Sequence, residues 1–301
     1  MIKKPKSSAA KRKRKTKKSK IPKLYILSAA VVVLALISII TAAIYISQPT
    51  IKQINASSNQ TAFLPPIVIP NATIDSNKTP PVTVPPASPK PKLVIIIDDV
   101  TFPSQIKKIL SIPLHITPSF LPPKPETPFS EELAKKCKFY MVHLPLEAEQ
   151  FEHPEAVTIW VNDSYDEIVK KLLQFKQKFP RAVYYNNHTG SKFTADLAAM
   201  RRLIDAMDEL DLIFVDSRTT AKTKAPEIFA QQGRKLLQRD VFLDNEIEEG
   251  AIKAQLQLAI DKAKSRGYAV AIGHPHDKTL DTIAKSLEAL RDVEVVYLKD
   301  L

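Results

Sequence analysis

Cysteine is almost absent: Cys137 is the one thiol in 301 residues. An intramolecular disulfide is therefore excluded, although a free thiol does not forbid an oxidising compartment. Its setting beside Phe139 and Tyr140 reads as a small buried filler, with a nucleophile as the weaker alternative. Glycine is scarce too, with five in the chain. There is no glycine-rich phosphate loop and no Gly-x-Ser-x-Gly elbow, which removes two large classes of catalytic site. Acid is missing from the whole N-terminal stretch, where Asp75 is the first carboxylate.

That last absence accounts for the net charge of +12. Residues 1–23 hold twelve Lys or Arg and no acid, which leaves 32 basic against 32 acidic residues in the remainder. A phosphate-binding groove needs basic residues spread over a folded face, so no nucleic-acid partner is expected. A solvated basic tail that sets membrane topology and touches anionic lipid is the simpler reading.

Leu24 to Ser47 is an uncharged run of 24 residues rich in Val, Ile, Leu and Ala. As a helix it would be about 36 Å long, enough to cross a bilayer core. The preceding positive charges keep residues 1–23 cytoplasmic and send the rest outward. The run is longer than an ordinary signal-peptide core, so it is read as an uncleaved transmembrane anchor, with cleavage near Thr41-Ala42-Ala43 as the alternative. Residues 48–91 carry ten prolines and no glycine, which marks an extended, disordered linker acting as a stalk. The expected localisation is a bacterial inner membrane, crossed once, with the C-terminal domain periplasmic.

Residues 92–301 alternate short apolar runs with amphipathic stretches such as Leu197, Met200, Ile204 and Met207. That alternation predicts an α/β domain with parallel strands buried under helices. The polar residues at the end of each apolar run are informative. Asp98 and Asp99 come after Ile97, His143 after Val142, and Asn186, Asn187 and His188 after Tyr185. Asp216 comes after Val215, Asp244 after Leu243, and Gly273-His274-Pro275-His276 after Ile272. These are all C-terminal strand ends, the rim where β/α folds place their chemistry. Asp216 or Asp244 alone is as well explained as a turn or capping residue, and His143 alone as a packed core imidazole. His115 and His153 read as surface histidines. Four of six histidines and a pair of aspartates on one rim weigh against coincidence. Adjacent residues point oppositely along a strand, so Asp98 and Asp99 can share a site only if the strand ends there. Carboxylates and imidazoles together fit a divalent metal such as zinc with about three protein ligands, a carboxylate base and an imidazole acid.

The ordered motifs Ile95-Ile96-Ile97-Asp98-Asp99, His143-Leu144-Pro145-Leu146-Glu147, Asn187-His188-Thr189-Gly190-Ser191, Phe214-Val215-Asp216-Ser217-Arg218-Thr219, Arg239-Asp240-Val241-Phe242-Leu243-Asp244 and Gly273-His274-Pro275-His276 resemble the divergent polysaccharide deacetylase family. The resemblance covers residues 92–301 and implies a distorted seven-stranded (β/α) barrel. It implies Asp98 as catalytic base, Asp99 and His188 as metal ligands, and His274 as general acid or replacement ligand. His143, Asn187, Asp216, Asp244 and His276 would line the site. The related deacetylases carry a His-x-x-x-His pair, and here the second position is Lys192. The expected activity is metal-dependent removal of acetyl groups from a cell-envelope or secreted N-acetylated glycan. The rival is a non-catalytic barrel that binds an envelope glycan or partner.

Overall fold

The computed structural model describes residues 89–150 and 152–301. The basic tail, the anchor and nearly all of the linker lie outside the described residues. Among the described residues no helix is long and apolar enough to cross a membrane.

Nine strands form one sheet: β1 (Lys92–Val100), β2 (Thr117–Phe120), β3 (Met141–Leu146), β4 (Tyr184–Thr189), β5 (Ile213–Asp216), β6 (Leu237–Gln238), β7 (Val241–Phe242), β8 (Tyr268–Gly273) and β9 (Glu294–Val295). Among the described residues seven α-helices connect them: α1 (Pro103–Ser111), α2 (Ser130–Lys135), α3 (Tyr165–Lys178), α4 (Leu197–Glu209), α5 (Ala225–Gln231), α6 (Glu249–Arg266) and α7 (Asp277–Lys285). Eight strands run in the order β6-β5-β4-β3-β2-β1-β8-β7, and β9 pairs separately with the start of β1. Every pairing is parallel.

The strand count corrects the expectation of seven, and the sheet is a half-barrel, since β6 and β7 do not pair. The reason lies in Arg239 and Asp240. Arg239 N donates to Asp216 O at 2.9 Å, while Asp240 N donates to Val270 O at 2.8 Å. The chain thus crosses in two residues from the β5 edge to the β8 edge, which leaves a short strand on each edge.

Strand β1 shows why the central strands read as continuous apolar runs. Leu93, Ile95 and Ile97 join the large core under the helices, while Val94 and Ile96 join a smaller cluster with Met141, Val215, Val270 and Ile272. Both faces are buried, each such side chain contributing roughly 1.5–3 kcal/mol. The helices begin on recognisable signals. Pro103 opens α1, Ser164 and Glu167 form a reciprocal capping box on α3, and Asp196 Oδ1 accepts from Ala199 N at 2.8 Å to cap α4. Cys137 is buried, with its Sγ near Leu133 O at 3.6 Å, and burial pushes its thiol up to about 11. That is a filler, not a nucleophile.

Candidate active site

The C-terminal strand ends gather the polar residues, and β1 supplies the pivotal pair. The β1–β2 register breaks between Ile97 and Val100, and Asp99 takes φ 55. This irregularity lets two adjacent aspartates serve one site although the strand runs on to Val100. Asp98 is 2% exposed, and Asn186 Nδ2 donates to both its carboxylate oxygens at 2.9 Å. Asn186 is held in turn by Ser119 Oγ, which donates to its Oδ1 at 2.6 Å. Burial pushes the Asp98 carboxyl above the usual range, against the pull of His143 and Asn186. A carboxylate made more basic in this way suits proton abstraction.

Asp99 faces imidazoles. His188 Nδ1 lies 3.0 Å and His143 Nε2 3.3 Å from its Oδ1. That oxygen is buried and takes no well-angled hydrogen bond from either ring. Burial opposes its charge, but His143 and His188 hold the carboxyl well below the usual range. The register His143↔Asn186 and Pro145↔His188 sets the two rings side by side, with centroids 4.9 Å apart. The ligand atoms of Asp99, His143 and His188 all lie within 4.8 Å of one another. Tetrahedral zinc with bonds of roughly 2.0–2.1 Å has ligand edges of about 3.3 Å. The two distances from Asp99 match those edges, so the residues fit a divalent ion. His143, expected as a lining residue, thus stands with the residues that could hold an ion. Its imidazole is disfavoured as a cation by burial, yet Asp98 and Asp99 outweigh that and raise it to about 9.

His274 stands across the cavity. Its Nε2 is 3.9 Å from Asp99 Oδ2, while its Nδ1 is 3.1 Å from Asp244 Oδ1. Asp244 Oδ2 also accepts His274 N at 2.6 Å and Thr279 Oγ1 at 2.8 Å. Burial works against the imidazolium, but the Asp244 hydrogen bond and charge raise His274 above its ordinary value. Asp244 is therefore a positioning residue. Gly273 keeps it close, because a Cβ there would stand 3.3 Å from Asp244 Oδ2 and 3.2 Å from Leu243 Cβ.

Other expected residues are placed differently. Asn187 lines the cavity, and its Oδ1 accepts Ser217 N at 2.8 Å, which fixes the loop after β5. Asp216 does not line it; it accepts Arg218 N at 2.7 Å and Thr223 Oγ1 at 2.8 Å, as a turn residue does. His276 is exposed before α7, 6.0 Å ring to ring from His274. Lys192 is ion-paired with Glu147. His115 stacks on Tyr297 away from the site. Asn186, read on the rim but given no role, lies beneath Asp98, and the residues not expected are Ser119 behind it and Arg239. Asn186 shares a strand face with His188, a signal available from spacing.

The cavity holds about 430 Å³. A larger groove of about 660 Å³ lies at the N-terminal ends of β2 and β3, but no carboxylate lines it and it carries no catalytic set.

The family profile described as divergent polysaccharide deacetylase matches residues 95–301. The chain belongs to that family. Members of known sequence agree. Protein YibQ of Escherichia coli is 34% identical over 216 residues, covering 70% of this chain and 67% of YibQ. A Haemophilus influenzae protein is 31% identical over 213 residues, covering 70% of this chain and 76% of its own. The crystal structure of ATU2773 from Agrobacterium tumefaciens shares the fold, with a TM-score of 0.63 at 18% identity over 71% of this chain and 90% of that one.

Proposed function

We propose that this divergent polysaccharide deacetylase is a metal-dependent hydrolase that removes acetyl groups from an N-acetylated glycan of the cell envelope or of secreted polysaccharide. One observation carries the reading. Asp99, His143 and His188 form a three-ligand group, with Asp98 on one side and the Asp244–His274 pair on the other. When bound, a divalent ion such as zinc supplies a Lewis acid that polarises the acetyl carbonyl and lowers the pKa of water.

The chain's own residues do the rest. Asp98, buried and held by Asn186, takes the proton from the attacking water. His274 gives its proton to the departing amine, and Asp244 keeps Nε2 turned to the cavity. The ligand missing at Lys192 favours the non-catalytic reading, and His143 answers it by restoring a third ligand from β3. The domain is carried outside the cytoplasm on the linker 48–91 and held at the inner membrane by residues 24–47.

The experiment is metal stoichiometry of the purified chain together with acetate release from a panel of neutral and acidic N-acetylated glycans. One zinc per chain with acetate release is expected. A chain that binds no divalent metal ends this reading and leaves a glycan-binding scaffold.

A further inference from the structure

The cavity carries positive charge that deacetylation does not use. Arg218 and Arg239 both line it, and both also line a smaller depression of about 240 Å³ beside it. Arg239 is rigidly built in. Its Nε donates to Ser217 O at 2.6 Å, one Nη donates to Arg218 O at 2.8 Å, and the guanidinium lies 4.9 Å over the Phe242 ring. Those acceptors are neutral carbonyls, so no hydrogen bond pairs the guanidinium with a carboxylate. Arg218 is exposed, on a backbone with φ 51, and its guanidinium makes no hydrogen bond among the described residues. A left-handed backbone at a non-glycine residue is sparsely populated and clusters where ligands are held.

Among the described residues no carboxylate forms an ion pair with either arginine, whereas Arg234 finds Asp208 and Arg266 finds Asp240. Asp216 lies near both but is occupied by Arg218 N and Thr223 Oγ1. Burial, and then the neighbouring Arg218 charge, lower the pKa of Arg239, against the more distant pull of Asp216 and Asp98. Paired guanidiniums are suited to bidentate recognition of a carboxylate or phosphate.

We infer that the substrate is an acidic glycan, whose carboxylate or phosphate group is gripped by Arg218 and Arg239 in the same cavity as Asp98 and Asp99. This rests on the deacetylase reading and narrows it. A neutral polymer would offer neither guanidinium an anionic partner.

The test uses the full-length, zinc-loaded chain in detergent and calorimetric binding of three probes. These are N-acetylglucosamine, N-acetylmuramic acid with its carboxylate, and N-acetylglucosamine 6-phosphate. The acidic probes should bind roughly ten- to a hundredfold more tightly than the neutral one, the range expected for charge-assisted hydrogen bonds. Which acid binds better identifies carboxylate or phosphate as the source. Arg218→Gln should abolish the preference for the acidic probes, and it cannot unfold the domain through a lost side-chain hydrogen bond. Arg239→Lys, which keeps charge but loses the fork, should reduce the preference. Equal binding of the three probes, no binding of either acid, or an unaltered preference in Arg218→Gln overturns the inference. Should that happen while zinc is bound and acetate is released, the acidic substrate alone falls. Arginine-dependent binding of acids without metal or acetate release would instead overturn the deacetylase reading.

Discussion

Replacing His143 with alanine separates the two candidate third ligands. The substitution removes the nitrogen 3.3 Å from Asp99 Oδ1 and takes the nearest imidazole away from Asp98, which is 2% exposed. If His143 is a ligand, His143→Ala should weaken zinc binding by more than the roughly 10–100-fold typical of supporting residues. His274→Ala should keep one zinc per chain, because its Nε2 stands 3.9 Å from Asp99 Oδ2, outside the Asp99–His143–His188 group, and should lower turnover roughly 10²–10⁴-fold. Proton linkage supplies a second magnitude. In the metal-free protein His143 is raised from 6.5 to about 9. The stabilisation from its imidazolium is therefore complete below pH 6.5 and is lost as pH rises through 9. At pH 7 the shift corresponds to about 2–3 kcal/mol. Metal-free wild type should melt above His143→Ala at pH 7, with the gap closing towards pH 9. Zinc competes with the same proton, so its affinity should rise about tenfold per pH unit across that interval. Melting curves after chelation and calorimetric zinc titrations from pH 6 to 9 measure both effects. Full zinc binding by His143→Ala, with zinc lost in His274→Ala, would refute the reasoning.

Three further outcomes rest on particular contacts. Asp98→Asn keeps the shape but cannot take a proton, so turnover should fall roughly 10²–10⁴-fold with zinc retained; unchanged turnover would return Asp98 to a turn role. Gly190 has φ +87, and a Cβ there would lie 2.9 Å from Leu146 Cβ. Gly190→Ala should thus cost roughly 1–3 kcal/mol in a denaturant titration, and an unmoved midpoint would contradict the packing described at the ends of β3 and β4. A reporter active only outside the cytoplasm, fused after residue 92, should be active; activity from a cytoplasmic reporter at that point instead would overturn the anchor reading.

Much of the rim was legible because parallel β/α folds bring every C-terminal strand end to one side. Position after an apolar run therefore nominated Asp98, His143, His188 and His274 without any knowledge of contacts. The strand count was less legible. Val241–Leu243 reads as one apolar run, and nothing in Leu237–Gln238 announces a strand, because each gains its pairing from a different neighbour across the sheet. The spacing of Leu280, Ile283, Leu287 and Leu290 likewise suggests one continuous helix, yet α7 ends at Lys285 and Leu290 enters a 3-10 turn.

The amino-acid sequence by itself determined the class of fold, the rim that carries the chemistry and the kinds of groups on it. Those depend on hydrophobic period and on residue type, which are local properties. Which residues stand together within the site was decided only by tertiary structure. Whether His143 or His274 completes the ligand group turns on the β3–β4 register and on Asp244 reaching His274 across 30 positions of chain. The unpaired state of Arg218 and Arg239 is likewise invisible in a chain whose basic and acidic residues balance beyond the tail, because a charge is answered or left open by what stands beside it in space.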